Sequence, residues 1–187
     1  KNPRYIELPS RNGIADEVEL VVESNMFDGM VMLSTCDSIV PGHLMAAARL
    51  DIPTILVTGG YMPMPFLDGK SANYIELTDH VGQVMRGCYS RAAAEREVER
   101  MYTPCGACGV MTTANSMCLA AEALGMTMPG NGCMSAVSSE LLQTAYLAGK
   151  QIMKLLADGI TARKIITPEA VDNAIAMTMA MAGSTNL

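Results

Sequence analysis

A chain of 187 residues, half of them apolar, 17% charged and 4% aromatic, is long enough to bury one ordinary core and too hydrophobic to stay disordered. Its net charge of −6 offers no basic footprint for nucleic acid, no apolar run reaches the length of a membrane span, and no secretory signal opens the chain. Six cysteines, at positions 36, 88, 105, 108, 118 and 133, then point to reduced thiols or metal ligands rather than a disulfide scaffold, and to the cytoplasm as compartment.

Both ends of the sequence read as cut. It starts on Lys1-Asn2-Pro3 and stops in Gly183-Ser184-Thr185-Asn186-Leu187, a turn-forming cluster of the kind that joins two elements. The expectation is a single α/β domain over residues 1–187, incomplete on either side.

Residues 1 to 13 are punctuated by Pro3, Pro9 and Gly13 and read as turns, with Ser10 placed to cap a helix to Ser24. In that helix Ile14, Val18, Val21 and Val22 recur at helical spacing, opposite Asp16, Glu17, Glu19 and Glu23. After the Asp28-Gly29 turn, Met30 to Thr35 is an apolar run with the length of a buried parallel strand. A helix opening at Pro41 carries Leu44 to Leu50, and Thr54 to Thr58 is the next strand, ending at Gly59-Gly60. Strand, helix and strand in so short a span predict a right-handed parallel crossover. Ligands of such sheets bind beyond the carboxyl ends of the strands, so Cys36, Asp37 and the Thr58-Gly59-Gly60 turn should share one edge.

Tyr61 to Ala72 reads as a two-proline loop, a lid or rim, followed by helices over residues 76–88 and 91–101. Residues 105 to 132, CGACGVMTTANSMCLAAEALGMTMPGNG, run from two thiols in a glycine-rich turn, through a helix, to Pro129-Gly130-Asn131-Gly132 as its stop. Residues 137 to 157 are strongly helical, and Thr167-Pro168-Glu169 is a helix start with Thr167 as cap.

The thiols are where chemistry is expected. A cysteine at the mouth of a helix is favoured as thiolate, the form that binds metals or attacks electrophiles, which singles out Cys108 and also Cys105; the bland alternative is a turn of small buried residues. Cys105-x-x-Cys108 fits a thiol redox pair poorly, because it opens no first βαβ unit and lacks the flanks such a pair needs. A zinc ribbon needs a second CxxC, and there is none. Cys36 beside Asp37 sets a soft thiolate next to a hard carboxylate, which can serve an iron–sulfur cluster and Mg²⁺ side by side. Cys88, Cys118 and Cys133 lie in or beside apolar segments and read as structural, and His43 reads as a helix residue rather than a ligand.

Four segments together resemble the family of dihydroxy-acid and phosphogluconate dehydratases: LPSRNGIADEVE at 8–19, FDGMVMLSTCDSIVPGHLMAAARLDIPTILVTGG at 27–60, GACGVMTTANSMCLAAEALGMTMPGNG at 106–132 and PEAVDNAIAMTMAMAGSTN at 168–186. They occur in the family's order and cover most of the chain. The resemblance implies a three-layer α/β/α N-terminal domain with a mainly parallel sheet, and a hydro-lyase of branched-chain amino acid biosynthesis or of sugar-acid metabolism.

It also implies a site. Two of the family's three cluster cysteines match Cys36 and Cys108, holding a 2Fe-2S or 4Fe-4S cluster, and its Mg²⁺-binding aspartate matches Asp37. The next family residue is a lysine, carbamylated and also on Mg²⁺; here it is Ser38, whose hydroxyl brings no negative charge. Thr58, Gly59 and Gly60 would line the substrate edge or serve as a plain βα turn. The implied partners are a small hydroxy-acid substrate and further copies in a homodimer or homotetramer, with no nucleic acid and no membrane. The implied reaction takes water from a 2,3-dihydroxy acid to leave a 2-oxo acid, with Mg²⁺ on the carboxylate and 2-hydroxyl and an open iron on the departing 3-hydroxyl. The family's catalytic serine base belongs to its C-terminal part, so this chain alone is expected to be inactive. Ser38 leaves a second reading, a degenerate metal-binding homologue, beside the CxxC redox protein.

Overall fold

The computed structural model describes residues 4–67, 69–101 and 104–187. Two parallel strands, β1 (Met30–Ser34) and β2 (Thr54–Thr58), pair in register from Met30 opposite Thr54 to Ser34 opposite Thr58, and α2 (Ile39–Leu50) makes the crossover between them. On one face lie α1 (Arg4–Asn25), α2 and, further along, α5 (Thr113–Ala123); on the other lies α6 (Ser139–Ala157). The three-layer α/β/α arrangement predicted from the sequence is therefore present.

Side-chain alternation explains the layers. Met30, Met32 and Leu56 point to the α1–α2–α5 side, where they pack with Val22, Val40, Leu44, Met117 and Met126. Ile55 and Val57 point the other way and meet Ala148 and Leu155 of α6. All five β2 positions are buried, as a central parallel strand requires. β1 differs from expectation. It is buried on one face only, with Leu33 72% exposed, because it lies at the sheet's edge while α6 sits over β2.

The remaining elements are a two-residue ribbon of β3 (Phe66–Leu67) and β4 (Lys70–Ser71), then α3 (Tyr74–Met85), α4 (Arg91–Met101), the short α7 (Ala162–Ile165) and α8 (Pro168–Ala180). The expected caps at Thr167 and the helix over 91–101 are found: Thr167 Oγ1 accepts the Ala170 N–H at 3.2 Å. No helix among the described residues is long and apolar enough to cross a membrane.

Two local expectations are overturned. Residues 4 to 13 are helical rather than turns, so Ser10 lies inside α1 and not at its start; Pro9 costs the helix a backbone bond, and the packing of the rest of α1 on α2 carries it. The central helix does not run on to Pro129. It ends at Ala123, where Gly125 at φ +81° closes a left-handed cap with Gly125 N–H on Glu122 O and Met126 N–H on Ala121 O.

α3 and α4 form a side hairpin with only a small apolar core, Ala72, Leu77 and Met101. A polar clamp supplements it: His80 Nδ1 lies 2.7 Å from Glu97 Oε2, Tyr89 OH donates to Glu97 Oε1 at 2.5 Å, and the two rings stack at 4.5 Å. Burial pulls the Glu97 carboxyl upward, but the bonds from Tyr89 and His80 outweigh it and hold the group below its ordinary value of 4.5. A depressed carboxylate stabilises the fold above its unfolded pKa and stops doing so as pH falls through its folded one. The protection of α3 and α4 amides against exchange, relative to their unfolded rates at each pH, should therefore fall selectively below pH 4.5, and Glu97→Gln should remove that dependence.

Candidate functional site

The chemistry-bearing residues collect where β2 leaves the sheet. Beyond Thr58 the backbone runs on through Gly59, Gly60, Tyr61 and Met62, bending at Gly60 where φ is +76°, and is flanked on both sides by other segments. Ala107 N–H donates to Gly60 O at 2.9 Å and Met62 N–H to Ala107 O at 2.8 Å; on the opposite edge Tyr61 N–H donates to Met134 O at 3.1 Å and Ala136 N–H to Tyr61 O at 2.9 Å. Both pairings are parallel bridges, and a further one joins Leu56 to Thr127. The sheet is thus prolonged at its carboxyl end, and the residue before Cys108 is a rung of it.

On the β1 side, Gly59 N–H donates to Ser34 O at 2.9 Å, and a Cβ at Gly59 would run into Thr35 Oγ1. The turn carrying Cys36 is therefore packed directly against the Gly59 backbone. Cys36 itself has φ +85°, a left-handed conformation that costs an L residue about 1–2 kcal/mol. Its Sγ donates to Asp37 Oδ1 at 3.3 Å. Partial burial pushes the Cys36 thiol up, and the neighbouring charges of Asp37 and of Cys108 add to this. Both thiol turns thus reach the Gly59-Gly60 segment, although 72 residues of chain separate Cys36 from Cys108. Ser38 occupies the N-cap position of α2.

Cys108 is not at the mouth of α5 as the sequence suggested. Thr112 is the N-cap residue, and Cys108 lies in the turn before it, its Sγ 3.1 Å from Thr112 Oγ1. Asn115 locks this turn to the helix by donating to Cys108 O at 2.7 Å and Val110 O at 2.8 Å. The first turn of α5 is held in turn by the chain's end: Thr113 Oγ1 is 2.8 Å from Ser184 Oγ, and Ser184 N–H donates to Ser116 Oγ at 3.0 Å. Cys105 is exposed, with its sulfur 3.9 Å from Ala136 O, and it is not paired with Cys108.

Of the cysteines read as structural, Cys118 is a core residue at 1% exposure whose thiol burial pushes up to about 11; Cys88 and Cys133 are exposed, in turns rather than in the core. His43 projects from α2 to place Nδ1 2.8 Å from the fully buried Ser34 Oγ, and burial lowers its pKa, which favours the neutral ring.

Asn131 and Glu122 were missed by sequence reasoning, in which they read only as parts of a helix and its stop. Asn131 is completely buried against Thr58, and Glu122 accepts the N–H groups of Gly130 and Gly132. The glycines either side of Asn131 were the available signal. A small cavity of about 20 Å³ adjoins Cys108, with Met62, Met64, Pro65, Met101 and Val110 in its lining.

Among the described residues no three His, Cys, Asp or Glu side chains converge tightly enough to hold a single metal ion. An iron–sulfur cluster has a different requirement, since its cysteines bind different irons and need not converge on one point. Two thiols on separate turns that meet one glycine-containing segment suit a cluster better than a lone ion.

The fold and this edge define a layered α/β domain carrying thiols beyond the carboxyl end of its sheet. Residues 2–187 match the model of the dihydroxy-acid/6-phosphogluconate dehydratase N-terminal domain, and the chain belongs to that family. It is 44% identical over 179 residues to dihydroxy-acid dehydratase 1 of Methanosarcina acetivorans, covering 96% of this chain and 32% of the relative. It is 46% identical over 180 residues to the dihydroxy-acid dehydratase of Halothermothrix orenii (96% and 32%) and 42% over 182 to that of Nitratidesulfovibrio vulgaris (97% and 33%). The chain thus spans about a third of the length of these relatives.

Proposed function

We propose that this chain supplies the cluster-holding part of a hydro-lyase that converts a 2,3-dihydroxy acid into a 2-oxo acid. The observation that carries the reading is the joining of the Cys36 and Cys108 turns to the same two-glycine segment, in a chain of the dehydratase family. Cys36 and Cys108 would hold the cluster, and Asp37 would offer its carboxylate to Mg²⁺. When bound, these groups supply Lewis acidity to the departing 3-hydroxyl and to the carboxylate and 2-hydroxyl of the substrate.

The chain's own residues do the holding. Gly59 and Gly60 bring the backbone close to both thiol turns, packed against Thr35 at Gly59 and against residues 134–136 at Gly60, where a side chain would not fit. The proton from C2 goes to a base that the family resemblance places outside the span covered here, so the 187 residues alone do not turn over. The relatives named above are dihydroxy-acid dehydratases, which favours a dihydroxy acid over a sugar acid as substrate.

Ser38 favours a second reading. Without a second anionic group next to Asp37, Mg²⁺ is bound weakly or not at all, and the protein is a non-catalytic homologue. Anaerobic purification of the full-length protein separates the two. A brown chromophore with Mg²⁺-dependent dehydration of an aliphatic 2,3-dihydroxy acid is expected; a colourless protein indifferent to Mg²⁺ overturns the first reading. Both thiol ligation and a homo-oligomeric, cytoplasmic enzyme are part of the proposal.

A further inference from the structure

We infer that Asn131 and Glu122 are positioning residues that set how far apart the Cys36 and Cys108 sulfurs stand. Asn131 is 0% exposed, yet its amide is fully used: Oδ1 accepts the Thr58 N–H at 2.7 Å and Nδ2 donates to Thr58 O at 3.2 Å. Thr58 Oγ1, also buried, returns a bond to Asn131 O at 3.1 Å. A side-chain amide thus pairs with the last residue of β2 as a neighbouring strand's peptide group does. Burying an amide is costly unless both its ends are satisfied, and here they fix Thr58 in position and direction.

Glu122 fixes Asn131 in turn. Its carboxylate accepts the Gly130 N–H at 2.6 Å and the Gly132 N–H at 2.8 Å, gripping the loop on both sides of Asn131. A Cβ at Gly132 would stand 2.9 Å from both Cys118 O and Glu122 Oε2, so the loop is held against α5 without slack.

Two arms leave the clamped residue. One step beyond Thr58, Gly59 holds the backbone of Ser34 and the side chain of Thr35, immediately before Cys36. Two steps beyond, Gly60 O holds Ala107, immediately before Cys108. A tilt of Thr58 therefore moves the two thiol turns relative to one another. The chemical purpose rests on the reading proposed above; the geometry is measurable without any cluster.

The test uses the full-length protein and two readouts. In metal-free protein, dibromobimane bridging of Cys36 to Cys108 is quantified by mass spectrometry of the cross-linked peptides; in cluster-loaded protein, the lifetime of the visible chromophore in air is measured. Asn131→Asp keeps the size and the acceptor for Thr58 N–H but sets an oxygen against Thr58 O; Glu122→Gln weakens one of the two grips on the loop. We expect Asn131→Asp to reduce bridging and shorten the lifetime about tenfold, the equivalent of one buried hydrogen bond, and Glu122→Gln to do so by less. Alkylation of the distant Cys88 and the far-ultraviolet dichroism stay at wild-type values.

Wild-type bridging and lifetime in Asn131→Asp overturn the inference and leave the cluster reading intact. Loss of bridging in the variants of a protein that never shows a chromophore supports the positioning and overturns the cluster reading. If Asn131→Asp does not fold, Thr58→Val, which removes the Thr58 hydroxyl's bonds to Asn131 O and to the Cys118 thiol and leaves the backbone pairing in place, takes its place with Glu122→Gln; unchanged bridging in both overturns the inference.

Discussion

Replacing Gly60 by alanine is expected to lower the unfolding free energy by about 3–4 kcal/mol, read as a shift of the urea midpoint at unchanged slope. Two costs combine. Gly60 has φ +76°, where a Cβ alone costs about 1–2 kcal/mol. That Cβ would also stand 2.7 Å from both Met134 O and Ala136 N, the two atoms that bond Tyr61 on that edge. Neither is the loose end of a flexible side chain, so the 134–136 segment must move and its bonds to Tyr61 stretch, each worth about 1 kcal/mol. Gly82, with open space around its Cβ position inside α3, is the control: Gly82→Ala should be neutral or slightly stabilising. If Gly60→Ala behaves like Gly82→Ala, the segment between the two flanking chains is not the fixed rail that the site requires.

Much of the framework around that rail was legible because it follows from local rules. The runs at 30–35 and 54–58, separated by an alanine- and leucine-rich helix, can bury their apolar faces only as a parallel crossover, and they do so. The adjacency of the Cys36 and Gly59 turns followed from the same topology. What the sequence hid is non-local. Asn131 pairs with Thr58 across 73 residues of chain, and the glycines either side of it mark a tight turn without telling which partner its amide finds. The end of α5 was misplaced for a related reason: Gly125 closes the helix with a cap of its own, while the proline-glycine cluster that follows forms a 3₁₀ turn over Asn131–Cys133 whose shape Glu122 sets from inside the helix. Similarly, the helix dipole argument pointed to Cys108, but what fixes this residue is a rung of parallel pairing at Ala107 and the Asn115 side chain.

Cys36→Gly should make the domain no less stable, and more stable by up to about 1 kcal/mol, while removing the chromophore and the dehydration activity from the full-length protein. The sign comes from backbone strain. An L residue at φ +85° costs about 1–2 kcal/mol, glycine there costs nothing sterically, and the greater freedom of glycine in the unfolded chain takes back about 0.5–1 kcal/mol. Cys36 is exposed, so its removal forfeits little burial. Cys36→Ala separates the two effects. It keeps the strain and deletes the sulfur, so it should lose the chromophore without the gain in stability. Glycine would suit this backbone better than the cysteine that occupies it, so the sulfur stands here at a cost in strain. Equal stability of Cys36→Gly and Cys36→Ala would remove the strain from the account, and a chromophore that survives either substitution would remove Cys36 from the ligands.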